Sequence, residues 1–263
     1  MHDRQSLMKD LASLSIPADG TLLVHSSMKA IGEVDGGAET VLDALSDYMA
    51  EGLLVLPTHT WDRINAQQPV YSVTDTASCV GILPELFRKR TGVIRSHHPT
   101  HSVAALGRDA AAYTEGDEYF NTPCHRNGPW GRLLDRRAVI LFIGADLTKN
   151  TYMHGVEEWL QIPENLTDSQ EMLYSRKADG AVVPVAQYRH KGSRSECFDK
   201  MEEIFLENGA MHIGRFGEAT ARVCDVVRMT EILMVMLNRN PWLFADERPV
   251  DRNLYPMYCK TAD

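Results

Sequence analysis

The chain has 263 residues but only five cysteines, Cys79, Cys124, Cys197, Cys224 and Cys259. They are odd in number and form no Cys-x-x-Cys pair, which excludes a disulfide framework and the common zinc motifs. Positive charge is also scarce, with 27 Lys and Arg against 36 Asp and Glu and a formal net charge of −9. Without a basic stripe, nucleic acid is not an expected partner, whereas an acidic surface tolerates cationic ligands such as polyamines. No uncharged apolar run approaches the ~20 residues that a membrane helix needs, so no membrane partner is expected. Residues 1–10 are charged and lack the apolar core of a signal peptide. A reducing cytoplasm is therefore the expected compartment. Repeats and low-complexity tracts are missing. So are a P-loop and a G-x-G-x-x-G fingerprint, which disfavours nucleotide binding through those modes.

What is present reads as α/β. Residues 21–24 form an apolar strand that runs into His25-Ser26-Ser27. Residues 38–49 then place Val41, Leu42 and Leu45 on one helical face, and residues 53–56 form a second strand closed by Pro57. The order strand, loop, helix, strand favours parallel pairing in a layered sheet with helices on both faces. A short helix is expected at 7–14, a long polar connection at 58–77, a helix at 81–89 and a strand at 102–106. Residues 109–119 read as helical, 124–131 as a loop leading into a turn at 132–135, and 138–143 as a buried strand. Further on, a strand at 180–188 follows the Asp179-Gly180 turn, and helices are expected at 197–208 and 219–237. The tail from about residue 244 reads as irregular. Length suggests one domain over 1–263.

Three segments carry chemistry. His154 and Glu157 stand three residues apart just after the 138–143 strand, where α/β sheets bind ligands. On a helix opened by His154 they share a face. That is the layout of a general base and its orienting acid, although an ordinary helix contact has the same spacing. His25-Ser26-Ser27-Met28-Lys29, with Val34 and Gly36-Gly37, has the parts of an anion cradle: hydroxyls, backbone N–H groups and a cation ahead of a helix N-terminus. A capped turn would use the same residues. His97, His98 and His101 invite a metal reading. No carboxylate or thiolate completes a ligand set beside them, and no metal is expected.

Taken in order, these motifs resemble the aminoglycoside 3-N-acetyltransferases, an antibiotic N-acetyltransferase family distinct from the commoner GNAT acetyltransferases. The carriers are Leu23-Val24-His25-Ser26-Ser27 with Gly32 and Gly36-Gly37, Val55-Leu56-Pro57-Thr58, and Gly81-Ile82-Leu83-Pro84-Glu85-Leu86-Phe87. They continue through Arg95-Ser96-His97-His98-Pro99, then Ser102 to Gly107, and Asn150-Thr151 through His154 to Glu157. The resemblance implies that family's fold, with a mixed sheet, and acetyl transfer from acetyl-CoA to a primary amine, most readily the 3-amino group of an aminoglycoside in antibiotic resistance. It implies His154 as general base with Glu157 as its close acidic neighbour; the tetrahedral oxyanion of such a transfer needs a donor, for which Thr151 or a nearby backbone N–H is the candidate. His25, Ser26, Ser27, Met28, Lys29, Val34, Gly36, Gly37, Arg95 and Ser96 match the segments beside the cofactor. Asp62, Glu158 and His190 are the acceptor-site candidates. The chain departs from the family pattern at Arg189, a cation where a polyamine pocket calls for an acid, and over residues 191–196, which are longer than expected. A family member that acetylates another small amine, or that binds CoA without catalysis, is the alternative. Oligomeric state is not legible.

Overall fold

A computed structural model describes residues 1–192 and 194–251. In chain order the elements are α1 (Arg4–Ser13), β1 (Thr21–Ser26), α2 (Gly37–Tyr48), β2 (Leu53–Pro57), β3 (Val70–Ser72), α3 (Ile82–Phe87), β4 (Ile94–Arg95) and β5 (Val103–Gly107). Then come α4 (Ala110–Thr114), α5 (Pro129–Asp135), β6 (Val139–Ile143), α6 (Thr151–Trp159), β7 (Glu171–Arg176), β8 (Val182–Gln187), α7 (Glu202–Glu207), β9 (Met211–Phe216), β10 (Ala219–Asp225) and α8 (Val226–Arg239).

A seven-stranded mixed sheet in the order β4-β5-β2-β1-β6-β10-β9 organises the chain. Its centre, β2-β1-β6, is parallel, and the strands on both flanks are antiparallel. Central parallel strands are covered on both faces and so read as unbroken apolar runs, as Leu22, Leu23 and Val24 of β1 do. Alternation sorts these side chains. Leu23, Val55, Ile140 and Phe142 join a core with residues of α5, α6 and α8. Leu22, Val24, Leu54, Leu56, Leu141 and Ile143 join a second core with residues of α1, α2 and α3. The chain leaves β1 for β2 on one side and later places β6 on the other. The carboxyl ends of β1 and β6 therefore frame a crevice at a topological switch point. A smaller sheet, β3-β7-β8, lies apart from the main one in hydrogen bonding.

Several local expectations are corrected. Residues 219–237 are not one helix: Ala219, Ala221 and Val223 are buried in alternation and pair β10 with β6 and β9, and only after the Asp225 cap does α8 begin. The alanines favour a helix locally, and sheet packing overrides them. Residues 129–135 form α5 instead of loop and turn, started by Pro129 in the first turn, where proline suits a helix. Residues 109–119 are broken at Glu115, whose extended backbone (ψ 140°) ends α4, and Gly116 with φ of 76° then leads into a 3-10 turn. The 197–208 helix is a 3-10 segment, Arg194–Met201, followed by α7, although Met201, Ile204 and Phe205 are buried as expected. The 58–77 connection contains β3, and β9 had no counterpart in the sequence reading. Residues 244–251 carry no helix or strand. The rest of the expected irregular tail, with Cys259, lies outside the described residues. Among the described residues no helix is long and apolar enough to cross a membrane.

Candidate active site

A cleft of about 1080 Å³ opens where β1 and β6 end, lined by His25, Ser26 and Ser27 after β1, by 144–146 and 148–151 after β6, and by His154. Trp61, Cys79, Val80, Arg189, His190 and Glu196 line it as well. The helix α6 starts at Thr151, so His154 sits inside its first turn instead of opening it. One turn on, Glu157 is fully buried and its Oε2 lies 3.1 Å from His154 Nδ1. A carboxylate only accepts, so Nδ1 carries the proton and donates it. Nε2 is then the basic nitrogen, on a ring that lines the cleft. Burial, then the nearby His190, push the His154 imidazole below its ordinary value of 6.5, and the Glu157 hydrogen bond opposes them. The ring is therefore neutral at physiological pH and ready to take a proton.

The other oxygen of Glu157, Oε1, accepts from Arg194 Nη1 at 3.1 Å, a pairing of two buried charges. Replacing Glu157 with alanine is expected to cost about 3–5 kcal/mol of folding stability, because the guanidinium stays buried without its counter-charge. Urea unfolding measures this, and a loss under about 1 kcal/mol would show that Arg194 escapes to water.

Around this pair the histidines collect. His190 stacks on His154 with centroids 4.3 Å apart and 22° between planes, and His101 meets His190 edge-on at 5.3 Å. His59 contacts His101 at 4.8 Å and stacks on Trp130 at 5.5 Å, and its Nε2 lies 3.1 Å from Thr151 Oγ1. His25 stacks on Phe142 at 4.9 Å. Burial lowers every one of these rings, His25 to about 3 and His190 to about 4, and His59 and His101 well below 6.5. The histidine side of the cleft wall is thus uncharged, beside charged residues such as Lys149, Arg189 and Glu196.

The expected residues divide by position. His154, Thr151, His190, His25, Ser26 and Ser27 share the cleft. Met28 and Lys29 lie on the 3-10 turn that follows, while Val34, Gly36 and Gly37 lead into α2, outside the lining. Arg95 and Ser96 do not reach the cleft. Buried Arg95 donates to the carbonyls of Thr58, Val73 and Thr76 and so ties down the 58–77 connection, and Ser96 Oγ accepts from the Val103 N–H. Asp62 is exposed beside Arg63 and outside the lining. Glu158 is buried behind His190, accepting from its Nε2 at 2.6 Å and from the Cys124 N–H at 2.9 Å. Burial raises Glu158 to about 7.

His97, His98 and His101 do not converge on a metal. His98 Nδ1 accepts the N–H groups of Thr100 and His101, and its Nε2 meets the Gln187 side chain. Among the described residues the one grouping of possible ligands is Cys124, Glu158 and His190, within 4.8 Å of one another. That trio is knitted by the hydrogen bonds just given, and burial holds the Cys124 thiol well above its ordinary range. Arg189, expected as a departure in the acceptor pocket, does line the cleft. His59, His101 and Arg194 were missed as site residues. His101 belonged to a visible histidine cluster, but nothing in the sequence spacing marks the other two.

A family model described as aminoglycoside 3-N-acetyltransferase matches residues 23–238. The SPbeta prophage-derived aminoglycoside N(3')-acetyltransferase-like protein YokD of Bacillus subtilis (strain 168) is 28% identical over 249 residues, covering 87% of this chain and 89% of that protein. Among solved structures, a histidine-to-alanine variant of aminoglycoside acetyltransferase AAC(3)-IVa in complex with a gentamicin superposes with a TM-score of 0.81 at 22% identity, over 92% of this chain and 91% of that one. The binary complex of AAC-IIIb with CoASH does so with a TM-score of 0.79 at 21% identity, over 90% and 96%. With a model match that spans most of its length, the chain belongs to the aminoglycoside 3-N-acetyltransferase family.

Proposed function

We propose that this protein transfers the acetyl group of acetyl-CoA directly to a primary amine, with the 3-amino group of an aminoglycoside as the acceptor. The observation that carries the reading is the His154 ring, locked by Glu157 through Nδ1 and lining a cleft of about 1080 Å³, which leaves Nε2 as its base. A protonated amine cannot attack, and a neutral imidazole held in one tautomer is suited to take its proton. Glu157 then stabilises the imidazolium, as the acid does in a Ser-His-Asp array.

The β1 end of the cleft suits a cofactor with polar oxygens. Ser26 lines it, and its buried Oγ has no partner within the protein. When bound, acetyl-CoA supplies a thioester whose carbonyl carbon is the electrophile. In this reading His25, Ser26 and Ser27 hold the pantetheine side, with Met28 and Lys29 on the following turn. Thr151, at the start of α6, offers a hydroxyl and an N–H toward a developing oxyanion. The cysteine thiols Cys79 and Cys124 are both raised by burial, Cys79 to about 11, which argues against an acyl-enzyme route. Holding both reactants in one cleft supplies the effective concentration that direct transfer needs.

A thiol-release assay tests this with acetyl-CoA and a panel of aminoglycosides and other small amines. CoA release above the no-amine blank is the expected result, with the preferred amine naming the acceptor. A rate equal to the blank with every amine of the panel would favour the alternative of a CoA binder without catalysis.

A further inference from the structure

The His154–Glu157 pair is completed by a residue from the stretch that departs from the family pattern. Arg194 opens the 3-10 segment Arg194–Met201, and its guanidinium is held on three sides. Nη1 donates to Glu157 Oε1 at 3.1 Å, Nη2 donates to the Pro163 carbonyl at 2.8 Å, and the plane lies 5.8 Å from the Trp242 ring. Both charged groups of the pair are buried. With Oε1 pinned by Arg194, the remaining oxygen, Oε2, is fixed against His154 Nδ1.

We infer that Arg194 is a positioning residue for the proton transfer: it anchors Glu157 and supplies the positive charge that lets this buried carboxylate polarise the His154 ring. A carboxylate taken out of water holds its charge only beside a counter-charge with good hydrogen-bond geometry. Remove the guanidinium, and the buried carboxylate loses both the hydrogen bond that fixes Oε1 and its counter-charge. A carboxylate no longer held against Nδ1 stabilises an imidazolium less than one fixed there. The basicity of Nε2 then falls although His154 and Glu157 are both in place. The other ionisable groups facing His154 are Glu158 on α6, His190 after β8 and His59 after β2. None of them contacts Glu157 Oε1, so none substitutes for Arg194. The inference rests on the proposed acetyl transfer for its kinetic arm only.

The test uses Arg194→Gln and Arg194→Lys in the full chain, with near-UV circular dichroism and CoA affinity as checks that the cleft persists. Two quantities are measured: kcat with acetyl-CoA and the best amine, and the pH titration of the His154 ring by NMR. For Arg194→Gln the expected results are a fall of at least tenfold in kcat, a KM for acetyl-CoA within twofold of the parent, and a His154 midpoint moved to lower pH. Arg194→Lys, which keeps the charge, is expected to recover most of kcat and of the midpoint. A folded Arg194→Gln protein with the parent's kcat and His154 midpoint overturns the inference. So does a Lys variant no better than Gln. If the parent protein releases no CoA with any amine, the acetyl-transfer reading falls. The His154 midpoint still decides the role of Arg194 in that case, so the two failures are separable.

Discussion

His154→Ala is expected to lower kcat by about 10²–10⁴-fold while CoA affinity stays within about twofold. Deleting the ring removes a cleft group whose Nδ1 is held by a fully buried carboxylate and whose Nε2 is left as the base. The loss corresponds to about 3–5 kcal/mol of transition-state stabilisation. His190, stacked against the same ring, is a poor substitute because burial lowers it to about 4, too weak a base to hold the amine's proton. His59 is committed to Thr151. CoA binding should persist, since the Ser26 and Ser27 end of the cleft belongs to β1 and is untouched by a change in α6. Raising the pH should recover part of the rate, because a larger share of the amine is then free without help from a base. A variant that keeps full kcat at neutral pH would remove His154 from the mechanism.

The second large effect concerns acid. Of the ten histidines, six cluster in and behind the cleft, His25, His59 and His98 buried and His101, His154 and His190 partly so, and desolvation lowers all of them below 6.5. In the unfolded chain each regains its ordinary value, so unfolding takes up protons once the pH falls below 6.5. A base depressed in the fold contributes stability above its unfolded value and loses it as pH falls. Each such group costs about 1.4 kcal/mol per pH unit until its folded value is reached. Asp117 and Glu158 work the other way. Burial raises both to about 7, so they are protonated in the fold and acid relieves the strain of ionising them. Above the carboxylates' ordinary values, and while all six rings stay unprotonated in the fold, six histidines less two carboxylates leave a net uptake of at most about four protons, or up to roughly 5 kcal/mol per pH unit. A domain stable by about 5–15 kcal/mol should then unfold cooperatively with a midpoint between about pH 3.5 and 5.5. Circular dichroism across a pH series measures both midpoint and steepness. A chain still folded below about pH 3.5 would show that the cluster does not store this protonation energy.

Much of this site was legible because its parts are local. Apolar runs bounded by glycine marked β1, β2 and β6. The three-residue spacing of His154 and Glu157 survives as a hydrogen bond within one helix turn. Glu158, by contrast, faces inward to His190 and Cys124 and does not line the cleft, because one step along a helix turns a side chain by about 100°. What stayed hidden was non-local. Arg194 reaches Glu157 across 37 positions and His59 reaches Thr151 across 92, distances at which spacing carries no information. The 219–225 segment was misread for a related reason: its alanines favour a helix locally, and only pairing with β6 makes them a strand.

That last pairing bears on how the protein is made. β6 is the apolar run Val139–Ile143, and β10, which covers its outer edge, is encoded far downstream. During synthesis at about 5–20 residues per second, that edge of β6 therefore stays unpaired for several seconds after β1 can dock on the other side. An apolar strand with a free edge is a template for pairing with another chain. The strand that frames the cleft is thus also where a nascent or truncated copy is most exposed to aggregation, and the C-terminal third of the sequence is what relieves it.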